Sequence, residues 1–178
     1  MTYSGNDRAT AWDRQIRNRN FLSPIGFKFN LQKAPTVDFF SQSANIPSID
    51  LGVAVQSTYL KDIPVPGDKL VFNDFTIKFL VDENLKNYLE ISNWMRSLGY
   101  PESLSEAIPL NTQAYSDGGL VIFNSNMQSV ARVNFKDMFP VQLTQVEFDA
   151  QTPDINYIVA EATFKYTVFD ITSLIDDT

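Results

Sequence analysis

Apolar and polar residues alternate with a period of two over much of this chain, the pattern of half-buried β-strands. From Gly26 to Gln32, Phe27, Phe29 and Leu31 fall on one face, and Lys28, Asn30 and Gln32 on the other. Asp38 to Ala44 is a second stretch, stopped by Ile46-Pro47, and Leu51 to Gln56 is a third, in which Leu51, Val53 and Val55 alternate. Ser57 to Asp68 holds Pro64, Pro66 and Gly67. Such residues disfavour a paired strand, so this segment is predicted to be a long excursion rather than a tight hairpin turn. Asp74 to Val81 alternates again, through Phe75, Ile77, Phe79 and Val81.

The period then changes. Leu85, Tyr88, Leu89, Ile91, Met95 and Leu98 recur at helical spacing. Asp82 can cap the N-terminus of this helix, and Gly99 can end it, with Pro101 just beyond. An amphipathic helix normally buries such a stripe against a sheet, so Leu85, Leu89, Trp94 and Met95 are the expected core contacts. Pro101 to Gly119 reads as a loop, with a short helical turn near Leu104 to Ile108 and a turn at Gly118-Gly119. Strands are expected at Leu120 to Asn124, Val130 to Phe135 and Thr144 to Phe148. Lys136 to Pro140 and Asp149 to Asp154 are read as turns.

Tyr157 to Phe169 alternates for about 13 residues, roughly 43 Å at the ordinary rise of a strand. Strands that long are uncommon and need partners along their edges, by barrel closure or from neighbouring subunits. One face is polar here, as it is in the other strands: Asn30, Gln32, Arg132, Asn134, Gln145, Glu147 and Glu161. Wet faces of this kind suit antiparallel sheets. The pattern predicts a mainly β (α+β) fold with an antiparallel sheet and one helix. Residues 1–20 form an arm, 21–172 the β domain and 173–178 an acidic tail.

Composition narrows the chemistry. The 178 residues suffice for one domain with a sizeable core, and 44% are hydrophobic. There is no Cys and no His. This removes thiolate metal sites, disulfides, the commonest general base and every His-containing triad. No apolar run reaches the roughly 20 residues of a membrane span, and residues 1–20 carry no signal-peptide core.

No phosphate loop, dinucleotide fingerprint or zinc pattern is present. Asp82-Glu83 opens a helix, where the dipole favours negative charge, and Asp176-Asp177 is a solvated tail. Asp68 and Asp74 bracket a strand start without the further oxygens a hard cation needs. Trp12, Trp94 and the 14 Phe residues lack the basic groove that accompanies base stacking. A ligand-binding barrel, or a hydrolase using Asp74 and Glu161, would need convergent polar groups that the sequence does not offer. The expectation is no enzyme, no cofactor and no metal.

The net charge is −7 and uneven. Arg8, Arg14, Arg17 and Arg19 against Asp7 and Asp13 give the arm +2, so the remainder carries −9. The body would repel phosphates, whereas the arm suits either contact with DNA or, through Arg14, Arg17 and Arg19, docking on an acidic neighbouring subunit.

Two blocks resemble the tail-tube proteins of T-even-like contractile phages. The first is Ile63-Pro-Val-Pro-Gly-Asp-Lys-Leu-Val-Phe-Asn-Asp-Phe-Thr-Ile-Lys-Phe-Leu-Val-Asp-Glu83, followed by the helix with Trp94. The second is Val130-Ala-Arg-Val-Asn-Phe-Lys-Asp-Met-Phe-Pro140, then Leu143, Val146, Phe148-Asp149 and the long closing strand. Their order and spacing cover roughly residues 18–172. The resemblance implies an antiparallel β-sandwich or half-barrel with one flanking helix, the tube fold shared with secretion-system tubes. It implies a virion structural protein, a tail-tube subunit in hexameric rings whose sheets join into one barrel.

It also implies tail sheath and baseplate proteins as partners, and genomic DNA sliding through the lumen without specific binding. By the same resemblance, Leu51 to Asp68 reaches the adjacent ring, with Leu51, Val53, Val55, Tyr59 and Leu60 as contacts. The location implied is the virion tail, assembled in the host cytoplasm. The substantial 99–119 segment, the acidic tail and the four-Arg arm depart from the family pattern. They suit an alternative station on the same fold, a baseplate tube initiator or a neck adaptor present in few copies.

Overall fold

The computed structural model describes residues 21–99, 114–148 and 157–175. The basic arm with Arg14, Arg17 and Arg19, the expected helical turn at 104–108 and the turn at 149–154 lie outside the described residues.

Nine strands, one 3-10 helix and one α-helix are described. The alternating segment at Gly26 forms β1 (Phe27–Leu31), with Phe29 and Leu31 buried. Its antiparallel partner is β6 (Ser116–Phe123), which pairs in turn with β7 (Ser129–Leu143). β2 (Ser41–Ala44) pairs with β5 (Phe75–Leu80), and β5 pairs with β8 (Val159–Lys165). β9 (Val168–Ser173) pairs with β7.

β7 is the strand that joins two layers. Its first half lies between β6 and β9, and its second half pairs with β8. The change of layer falls at Asp137, which has φ of 55° and donates its N–H to Asp117 Oδ1. The predicted turn at Lys136 to Pro140 is thus a corner within one strand. The predicted long strand breaks at the same corner. Tyr166 and Thr167 separate β8 from β9, and Thr167 N–H donates to the Lys136 carbonyl. The result is an antiparallel, mainly β fold, bent across two layers and not a closed barrel in the single subunit.

Phenylalanines fill the space between the layers. Phe29, Phe75, Phe79, Phe135 and Phe164 are fully buried, with Phe75 5.1 Å from Phe29 and 4.7 Å from Phe135 between ring centroids. Small residues, Ala160 and Ala162 on β8, give these rings room.

The helix α1 (Lys86–Gly99) covers one end of this core through Ile91 and Trp94, with Tyr88, Met95 and Leu98 partly buried beside them. Leu85 and Leu89, expected in the core, are 36% and 48% exposed. The helix begins a turn later than its apolar spacing suggests, and Leu85, with φ of 57°, turns the chain into it. Asp82 does not cap with its side chain; its carbonyl accepts the Leu85 N–H. The buried Asn87 does the stitching instead. Its Nδ2 donates to the Leu80 carbonyl, and its Oδ1 accepts from the Asp82 and Tyr88 N–H groups.

Two further expectations differ. Thr144–Phe148 is not a strand, although the Thr144 N–H donates to the Glu161 carbonyl and its hydroxyl accepts the Glu161 N–H. Gly118 and Gly119 lie inside β6 rather than in a turn. A Cβ on Gly118 would stand 2.5 Å from Met138 Sδ, so glycine leaves room for that buried side chain, which would otherwise have to shift.

Candidate assembly interface

Among the described residues, β3 (Ile49–Ser57) and β4 (Asp62–Phe72) form a separate two-stranded sheet. Every residue of β3 is exposed. The predicted excursion is therefore a hairpin ribbon with a tight turn: Thr58 N–H donates to the Lys61 carbonyl, leaving Tyr59 and Leu60 as the tip. The prolines fit because of where they fall. Pro64 pairs with Val55 and Pro66 with Val53. Counting from the hydrogen-bonded Thr58–Lys61 pair, both are non-hydrogen-bonded positions, where the missing N–H would face away from β3.

One face of the ribbon is apolar over most of its length, with the polar pair Ser57 and Asp62 closing it near the tip. Ile49, Leu51, Val53 and Val55 share it with Leu70, Pro66 and Pro64. The other face mixes Ala54, Ile63, Val65 and Val71 with Asp50 and Gln56. Leu51, Val53 and Val55 are at least half exposed, and Tyr59 and Leu60 almost wholly so. Isolated exposed apolar residues are ordinary, but a contiguous apolar strip of this length marks an interaction surface. The five residues predicted as contacts thus lie together on one projecting element.

The ribbon is fastened at its root. Asn73 Nδ2 donates to Ser48 Oγ and to Asp50 Oδ2, and its N–H donates to the Ser48 carbonyl. Tyr166 Oη donates to the Asn73 carbonyl at 2.6 Å. Phe72 packs on the Tyr166 and Phe169 rings, and Lys165 Nζ is 3.0 Å from Asp74 Oδ1. Burial, and then the Asp74 charge, push the Tyr166 hydroxyl up to about 12, so it stays a donor at any ordinary pH. This root ties the ribbon to the corner between β8 and β9. Tyr166, Phe72, Asn73 and the apolar residues of β4 were not singled out from the sequence. Alternation at Ile63, Val65 and Val71 was the available signal, masked by the prolines.

Polar residues also align across the outer face of the body. The register brings Lys28, Val121, Arg132 and Thr172 into one row, and Asn30, Gly119, Asn134 and Asp170 into the next. Lys78 and Glu161, opposite one another on β5 and β8, form an ion pair at 3.3 Å. Charges of both signs alternate here rather than forming a basic groove. Among the described residues no group of acidic side chains could hold a metal ion, and no helix is long and apolar enough to cross a membrane.

A family model described as phage tail tube protein matches residues 15–172, and the chain belongs to that family. The tail tube terminator protein of Enterobacteria phage T4 is 28% identical over 161 residues, spanning 88% of this chain and 89% of that protein. Three solved structures share the fold. The tube-terminating cap of the anti-feeding prophage aligns with a TM-score of 0.65 at 20% identity, over 93% of this chain and 99% of that one. The sheath/tube terminator of an extracellular contractile injection system gives 0.63 at 18%, over 87% and 99%. The sheath–tube complex of such a system gives 0.64 at 16%, over 88% and 94%.

Proposed function

We propose that this chain is a virion structural protein closing one end of a contractile phage tail tube, as a terminator ring present in few copies. The near full-length likeness to the T4 tail tube terminator carries this reading. Two of the similar solved structures, a tube-terminating cap and a sheath/tube terminator, support it. The rings are hexameric, and the polar strand faces line a lumen through which genomic DNA passes without specific binding. Mixed charge on those faces gives DNA little to adhere to.

The ribbon is the contact with the adjacent ring, through Leu51, Val53, Val55, Tyr59 and Leu60. Arg14, Arg17 and Arg19 dock on a neighbouring subunit, and tail sheath and baseplate proteins complete the assembly. The chain acts mechanically rather than as an enzyme, in the virion tail, after assembly in the host cytoplasm. A repeating tube subunit is the second reading, favoured by the family description itself.

Quantitative mass spectrometry of purified virions separates the two. A terminator is present at about the level of other single-ring tail proteins. Abundance equal to the main tube subunit would overturn the terminator reading and leave the repeating one.

A further inference from the structure

The two outer edges of the ribbon are chemically different. In an antiparallel ladder, residues at non-hydrogen-bonded positions point their N–H and C=O groups outward. On β4 the outward positions nearest the tip include Pro64 and Pro66, which have no N–H to offer a further strand. On β3 the corresponding residues are Val53, Val55 and Ser57, each with a free outward N–H and C=O, and all exposed. One edge is blocked and the other open.

We infer that the open β3 edge takes a second copy of this chain in the free protein, β3 against β3 about a two-fold axis. This goes beyond the chain's station in the tail, since it concerns the subunit before assembly. Identical edges pair antiparallel by two-fold symmetry, because the donors of one meet the acceptors of the other. Pairing also places the two apolar faces side by side as one continuous strip. The ribbon carries little net charge to oppose it. Lys61 and Lys69 against Asp50, Asp62 and Asp68 leave the ribbon at −1, out of −7 for the chain. The proline-bearing edges then face outward on both sides, so the sheet stops at four strands. The device shields an exposed edge without opening the way to a fibre.

Sedimentation velocity of the purified full chain over a concentration series tests this. The wild type forms a dimer that dissociates on dilution. Replacing Val53 and Val55 by Pro removes outward N–H groups without breaking a bond to β4, and weakens dimerisation by about tenfold or more if each lost bond contributes its usual share. Replacing the same two residues by Thr keeps the N–H groups and preserves the dimer. Pro64→Val with Pro66→Val opens the β4 edge and carries association past the dimer. A wild type that stays monomeric at its highest soluble concentration overturns the inference. So does a Thr pair that abolishes the dimer while the Pro pair keeps it, because the apolar face would then be the contact. Should the Pro pair fail to fold, an opened β4 edge that still stops at the dimer contradicts it equally. None of these outcomes bears on where the chain resides in the virion, which copy number decides.

Discussion

Gly67 lies directly against the backbone of Gly52, so closely that a Cβ on Gly67 would stand 2.3 Å from the Gly52 carbonyl oxygen. The contact falls where the ribbon's register shifts, between Leu51 and Val53, and β4 carries extra residues opposite Gly52. No side chain fits there, and the obstacle is backbone rather than a flexible side chain. Gly67→Ala is expected to displace the outer ribbon while leaving the body intact. Amide exchange in β3 and β4 should speed up, with global stability changed by no more than about 0.5 kcal/mol, as for surface sites away from the core. Unchanged ribbon exchange would show that the close approach is not a constraint.

Tyr59 and Leu60 form the tip and touch little of their own subunit. Replacing both by Ser should leave the unfolding midpoint essentially unchanged, within about 0.5 kcal/mol in stability. Incorporation of the chain into tails, measured by complementation of a null phage, should fall sharply. Full complementation would remove these residues from the contact.

Asn87 is fully buried and satisfies three backbone groups at the junction of β5 and α1. Asn87→Ala strands those groups without partners. Denaturant unfolding should register a loss of about 1–3 kcal/mol. A loss no larger than that of an exposed helix substitution, such as Lys86→Ala, would mean that water or local rearrangement replaces these bonds.

Tyr166 couples the ribbon root to pH. Its hydroxyl titrates near 12 in the folded chain, against 10.0 for an unperturbed tyrosine. The folded state therefore holds this proton more tightly than the unfolded one. Its contribution is complete below pH 10 and is lost as pH rises through about 12. Tyr166→Phe should remove this part of the alkaline dependence. At neutral pH it should cost about 0.5–1.5 kcal/mol for the lost bond to the Asn73 carbonyl. Identical stability profiles for the two proteins between pH 9 and pH 12, measured by thermal unfolding, would count against the assignment.

The parts of the fold legible in the sequence are those where periodicity and burial coincide. β1 and β5 alternate because one face meets the phenylalanine core, and α1 carries Ile91 and Trp94 inward at helical spacing. What stayed hidden depends on contacts distant in sequence. The corner at Asp137 marks the sequence as a slip of phase, with Lys136 and Asp137 both exposed between buried Phe135 and Met138. It reads as a turn because nothing local shows that β7 exchanges partners there while remaining a strand. The prolines of β4 read as strand breakers because nothing local shows that their N–H positions face outward. Leu85 follows helical spacing but belongs to the turn before the helix. The alternation of Val53 and Val55 made β3 legible as a strand, whereas their naming as candidate contacts rests on the family resemblance. Their anchorage through Phe72, Asn73 and Tyr166 spans residues more than 90 positions apart.

The central claim is that this chain closes the tube at one end. Cryo-electron microscopy of intact virions carrying a bulky C-terminal tag on this chain tests it most directly. The account predicts extra density in a single ring at one end of the tail tube. Tag density repeated in every ring along the tube would contradict it.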